Sequence, residues 1–304
     1  NGSFDVFTVS ADNCSIENLT IQNVTNQFGI ITGGSGINLL INNINFTSCD
    51  YCISTANATN PILRVFNCNL GTYPTITGFV DRIDLYGGVN SRIWISDCVI
   101  RLDNNDDVGI RVGLATPTRN PGDVLISDCI FDINAGNSST IGIITETVTR
   151  PAKISGCLFN NTGDTVGVTF SARGRIFSCY FNQTTGTATS SQAINLVQNQ
   201  CEINGNVIEN GYWNGILVNS NNNVIIGNRI AGCLNDGVLL NSTISDNNVI
   251  TGNIIASNSN YGINVARSDQ AGNIIIGNTL RSNTVGNINN VPTTATEIAH
   301  NVTV

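Results

Sequence analysis

The chain has 304 residues, only 11% of them charged, with a net charge of −8 at neutral pH. No Lys/Arg cluster stands out against that acidic balance, which argues against a nucleic-acid partner, and no run reaches the roughly 18 apolar residues that a membrane span requires. One His, no Met and 30 Gly, in a chain rich in Asn, Thr, Ser and Ile, disfavour helices and favour short strands between tight turns.

In chain order, the strands are copies of one short pattern that starts on an aliphatic residue. Ile16 and Ile41 open the first two copies and place Leu19 and Ile44 at the fourth position. From Val65-Phe66-Asn67-Cys68 onward that position is a cysteine: Cys68, Cys98, Cys129, Cys157 and Cys179. From Ile203-Asn204-Gly205-Asn206 onward it is an asparagine: Asn206, Asn228, Asn253, Asn278 and Asn301. A second motif follows each copy, as in Gly109-Ile110, Gly142-Ile143, Gly215-Ile216 and Gly262-Ile263. The twelve copies are spaced 22–31 residues apart, a period that signals a solenoid.

Strands at this spacing, with no helical crossover between them, must stack in parallel. The expected fold is an all-β, single-stranded right-handed parallel β-helix of about twelve rungs, one domain over residues 1–304. At about 4.8 Å per rung the rod would be roughly 55 Å long. Stacked Asn side chains would chain their amides into a ladder, with Asn223, Asn248 and Asn273 forming another, and Cys201 and Cys14 at matching places. The stacked cysteines would hold their Cβ atoms about 4.8 Å apart, beyond the usual disulfide range, so free buried thiols are expected. Cys49 and Cys52 form a lone C-x-x-C, read as a coincidence of a rung corner. Sequons such as Asn18-Leu19-Thr20 and Asn182-Gln183-Thr184 are candidate glycosylation sites, although many are expected by chance in so Asn- and Thr-rich a chain.

The first copy begins near Ile16 and the last runs into Val304 without a helical or polar cap. Neighbouring domains, or self-assembly into a trimer or filament, are therefore expected to cover the rod ends.

Repeats lengthen to 28–31 residues only between Cys68 and Cys157, and lengthened rungs bulge as loops on one, often functional, face. Most carboxylates lie here, including Asp81, Asp84, Asp103, Asp106, Asp107, Asp132 and Glu146, interleaved with Arg82, Arg92, Arg101, Arg111, Arg119 and Arg150. Among few aromatics, Tyr73, Phe79, Tyr86 and Trp94 fall in the same stretch. Tyr86, Trp94, Arg111 and Glu146 are the expected glycan contacts. The run Asp103-Asn104-Asn105-Asp106-Asp107 offers hard oxygen ligands, with Asp103, Asp106 and Asp107 as ligands of a calcium ion, although without EF-hand spacing. No other cofactor is expected.

The repeat organisation resembles the pectate-lyase-like right-handed β-helix superfamily, which includes polygalacturonases, polysaccharide lyases and viral tailspikes. Ile95-Ser96-Asp97-Cys98 through Asn105-Asp106-Asp107-Val108-Gly109-Ile110 is similar to the polygalacturonase segment with paired aspartates, and Val80-Asp81-Arg82-Ile83-Asp84-Leu85 to its first aspartate segment. The resemblance implies a general acid and a water-activating base among Asp81, Asp106 and Asp107. Ser139-Thr140-Ile141-Gly142 stands where that family has Gly-His-Gly, and Arg173-Gly174-Arg175 is the nearest approach to its Arg-x-Lys. His300, the one histidine, lies far along the chain and reads as an exposed residue of the last rung. With the catalytic pattern incomplete, the expectation leans away from an enzyme. It favours a structural and recognition β-helix of a tailspike, fibre or other surface appendage, on a virion or cell surface, engaging cell-surface glycans. The alternatives are a glycoside hydrolase or lyase acting on the rungs 81–146 and a bacterial or archaeal surface repeat protein.

Overall fold

The structure, a computed structural model, describes residues 5–71, 81–103, 105–113, 121–134, 140–146, 148, 150–185, 190–291 and 296–303. Tyr73, Phe79, Asn104, Arg119 and Ser139 lie outside them. Every assigned element among the described residues is a β-strand, and every strand pairing is parallel. The chain winds into a three-faced coil.

Face one carries the aliphatic residue that opens each copy, in a register running from Ile16 and Ile41 through Val65, Ile95 and Ile126 to Ile275 and Ile298. Face two stacks Phe46, Leu70, Ile100, Phe131, Phe159, Phe181 and Ile208. Face three stacks the second motif, from Ile30, Ile53 and Ile83 to Ile263 and Ile288. Ten of the twelve copies lie between two neighbours, so the rod has about ten enclosed turns. That is slightly fewer than the twelve rungs expected, because the outermost copies are only partly enclosed: the strand Phe7–Val9 covers the first on face three alone, and among the described residues the last pairs on one side.

One residue makes the corner between faces one and two. It is the third of each copy, and all twelve (Asn18, Asn43, Asn67, Asp97, Asp128, Gly156, Ser178, Gly205, Gly227, Gly252, Gly277 and His300) have φ between 52° and 66°. Asn, Asp and Gly tolerate this left-handed conformation better than other residues, so the corner is written into the sequence. His300 is thus the last member of the corner column and, as expected, an exposed residue of the last rung. In the first two rungs the bend does not interrupt the ladder: single strands run over Cys14–Ser35 and Asn38–Thr59.

The fourth position turns inward just past that corner. All five ladder cysteines there are free and buried. Their Sγ–H groups donate to the carbonyl two residues earlier, at 3.2 Å for Cys68, Cys98 and Cys129, 3.4 Å for Cys157 and 3.5 Å for Cys179. Asn replaces Cys in the same column because its Nδ2 reaches the same carbonyl, as Asn253 does to Thr251 O at 3.1 Å. Asn adds what a thiol cannot. Asn253 Oδ1 accepts both the backbone N–H and Nδ2 of Asn228, at 2.9 and 3.0 Å, and Asn278 Oδ1 does the same for Asn253 at 3.0 and 2.9 Å. The second ladder, Asn223–Asn248–Asn273, repeats the arrangement. A third, absent from the sequence reading, joins Asn258 to Asn283 at 2.8 Å, with Cys233 N–H donating to Asn258 Oδ1. On face two the Phe131, Phe159 and Phe181 rings stack at centroid distances of 4.6 and 4.5 Å, adding to their buried area.

Candidate functional site

Period-two alternation along face three turns Ile83 and Leu85 of the strand Asp81–Leu85 inward and Asp84 to the other side, while Asp81 opens the strand with a half-buried side chain. In the next rung Arg111 stands directly opposite Asp84. Tyr86 follows Leu85, and Glu146 follows the strand Ile141–Thr145 one rung further on. Adjacent rungs thus gather five polar side chains from three separate segments.

Arg111 is the hub. Its Nε donates to Asp81 Oδ2 at 2.7 Å and its Nη1 to Glu146 Oε1. Burial works against the guanidinium's charge, but Asp81 and Glu146 outweigh it and hold Arg111 firmly protonated. Beside this pair of bridges, the Tyr86 hydroxyl donates to Asp84 Oδ2. Asp84 is only 6% exposed. Burial, reinforced by the charge of Asp81, pushes its carboxyl up to about 7 despite the Tyr86 hydrogen bond and Arg111. Burial and the same hydrogen bond push the Tyr86 hydroxyl well above its usual range. Tyr51, raised by burial and by the charges of Asp81, Asp50 and Asp84, borders the cluster, and its ring lies 4.9 Å from that of Phe28. Chemically, the site offers carboxylate acceptors, an aromatic edge and one carboxyl that exchanges a proton near neutrality.

Four expected residues, Asp81, Tyr86, Arg111 and Glu146, are thus brought together. Trp94 is not among them: it lies on face one, with the Arg64 guanidinium 5.1 Å from its ring centroid. Asp107 turns inward and is fully buried, its Oδ2 2.6 Å from Arg82 Nη2. Asp106, in the corner before it with φ of 72°, receives Thr140 Oγ1 as the acceptor of its backbone N–H at 3.0 Å. The structure therefore groups Asp81 with Arg111 and Glu146 rather than with Asp106 and Asp107. Asp103 Oδ1 accepts from Asn134 Nδ2 at 2.9 Å. Among the described residues, no three His, Cys, Asp or Glu side chains gather as a metal site; Asp103 is exposed, whereas Asp107 is buried. Arg173 donates to Gln200, and Arg175 pairs with Glu202 on face one.

Asp84 and Tyr51 were missed as site residues. The signal for Asp84 was its place in the outward row that pairs it with Ser54 below and Arg111 above. Arg82 occupies a column otherwise held by small residues such as Gly109, Gly142 and Gly167. A Cβ on Gly142 would lie 2.6 Å from the Gly167 carbonyl oxygen, so large side chains there need a special outlet, which Asp107 provides.

The description "Right handed beta helix region" matches residues 141–303, more than half of the chain. The chain belongs to the right-handed β-helix family. Among solved structures, the periplasmic alginate epimerase AlgG is similar at 15% identity and a TM-score of 0.60, covering 98% of this chain and 76% of that one. A mutant of the same epimerase is similar at 14% identity and a TM-score of 0.56, covering 98% and 85%. A tailspike protein of E. coli bacteriophage HK620 is similar at 12% identity and a TM-score of 0.43, covering 90% and 50%. A comparison with curated proteins finds no match. At these identities the likeness is one of fold.

Proposed function

We propose that this β-helix recognises polysaccharide on face three, as the glycan-engaging element of an extracellular or virion surface structure such as a tailspike, fibre or appendage. The observation that carries the reading is the five-residue cluster built across adjacent rungs. Paired carboxylates accept the vicinal hydroxyls of sugars, and the half-buried Tyr51 offers a ring at the edge. Three carboxylates against one arginine favour neutral, hydroxyl-rich sugars on this face over acidic ones. Assembly into a homo-oligomer belongs to the same reading, and light scattering would then give a multiple of 32.2 kDa.

A second reading, a glycoside hydrolase or lyase acting at the same cluster, is favoured by Asp84. A carboxyl with a pKa of about 7 beside a tyrosine hydroxyl is poised for proton transfer at neutral pH. One experiment separates the two: a panel of neutral glycans is screened for binding and for release of new reducing or unsaturated ends, with wild type and Asp84→Asn. Binding without turnover supports recognition, and turnover that Asp84→Asn abolishes supports the enzyme. No binding by wild type, or equal binding by an Asp84→Asn/Arg111→Met variant, overturns the site.

A further inference from the structure

Face one carries the opposite charge. The ladder register places Arg64, Trp94, Leu125, Lys153 and Arg175 in single file on successive rungs, a column of about 19 Å at the parallel-strand spacing. Arg92 stands beside Trp94 on the same strand. A shallow open groove of about 380 Å³ runs over Arg92, Trp94, Asp123, Leu125 and Lys153, with Asp123 opposite Arg92 in the ladder. The chain has 13 Lys and Arg against 21 Asp and Glu, so a cationic stripe is against the overall trend.

The carboxylates near the column are largely spent. Arg150 Nη1 holds both oxygens of Asp123, at 3.0 and 2.9 Å, and Arg175 pairs with Glu202 at 3.3 Å. Asp97 and Asp128 stand at the corner that bounds the face. Lys153, the chain's single lysine, and Arg92 have no ion-pair partner among the described residues. The Arg64 guanidinium lies against the Trp94 ring and donates to Asn38 Oδ1 at 2.8 Å, which fixes the orientation of the indole.

We infer that this groove binds an acidic polysaccharide strand, its uronate or sulfate groups meeting Arg92 and Lys153 and a sugar ring stacking on Trp94. An indole presents a flat apolar surface that suits the C–H face of a pyranose, and the rung spacing is close to the rise of one pyranose along an extended strand. The site is separate from the face-three cluster, and its ligand is of opposite preference.

The test is titration of the intact protein with polygalacturonate oligosaccharides, heparin oligosaccharides and neutral dextran of matched length, at low and high salt. Acidic oligosaccharides should bind at low salt and be released at high salt, and the dextran should not bind at this groove. Trp94→Ala and Lys153→Glu should each weaken binding about tenfold, one such factor corresponding to roughly 1.4 kcal/mol. Asp84→Asn should leave it unchanged, which keeps this site independent of the reading of face three. Polygalacturonate winning over heparin assigns the anion as carboxylate, and the reverse assigns it as sulfate. Unchanged affinity in a Trp94→Ala/Lys153→Glu double variant with a wild-type unfolding midpoint overturns the proposal. So does single-stranded DNA binding as tightly as the sugars, since that marks a mere cation surface.

Discussion

Arg82 Nη2 and Asp107 Oδ2 lie 2.6 Å apart with both side chains wholly enclosed. The same guanidinium donates through Nη1 to the carbonyls of Cys49 and Asp50, at 2.8 and 2.9 Å. One arginine therefore ties three consecutive rungs from inside the coil, at the start of the stretch where the repeat lengthens.

Removing one partner of that pair strands a buried charge. Asp107→Leu should destabilise the fold by about 3–5 kcal/mol, and the Arg82→Met/Asp107→Leu double variant by markedly less than the sum of its singles. A denaturant-unfolding double-mutant cycle measures the coupling, and strictly additive losses would show that the two side chains act independently.

The asparagine ladder makes a ranked prediction. Asn253→Ala leaves the buried Asn228 N–H and Nδ2 without their shared acceptor, at a cost of about 3 kcal/mol. Asn253→Cys should cost less, because a thiol still reaches the Thr251 carbonyl as the cysteines of earlier rungs do. Unfolding midpoints with the order reversed would refute the equivalence of the two side chains at this position.

Asp84 predicts a pH dependence with a definite sign. Its folded pKa of about 7 lies above the ordinary value of 3.8, so the folded protein binds the extra proton and its stability falls as pH rises from about 4 to about 7. Above that window the penalty is constant, on the order of 4 kcal/mol. Asp84→Asn should remove the decline and be relatively more stable at pH 8 than at pH 4. A wild-type and Asn variant with parallel stability profiles would contradict the assignment.

Thiol accessibility provides a fourth check. Nine of the ten cysteines are buried and Cys14 is half-buried, while burial pushes Cys201 up to about 11 and Cys233 up to about 12. A thiol reagent at neutral pH should modify Cys14 first and the others only on unfolding. Fast modification of several thiols in the native state would be inconsistent with the packed column.

The fold was legible because a repeat forces the same residue type into the same environment on every rung. The inward column from Cys68 to Asn278 and the second motif could be read directly, and their register is as expected. The left-handed corner was equally present as Asn67, Asp97, Gly205 and their counterparts, although only the φ values show that a single residue makes the bend. The site was harder. Asp81, Tyr86, Arg111 and Glu146 could be collected by composition, but which face each occupies depends on loop lengths between strands, and loops of unequal length hide the register. Trp94 was grouped with them by proximity in sequence and lies on another face. Asp106 and Asp107 are neighbours in the chain yet point opposite ways, because the corner between them and the strand Val108–Val112 sends one side chain in and leaves the other out.

The switch from cysteine to asparagine in the inner columns has a mechanical consequence. Beyond Cys179, each rung is fastened to the next by side-chain amides that clasp the backbone of the turn before, whereas between Cys68 and Cys179 the same column is joined by weak thiol contacts. Pulled along its axis, the rod should yield first in the thiol section and resist in the amide section, so that one coil has a compliant segment and a stiff one set by a single residue type in a single column.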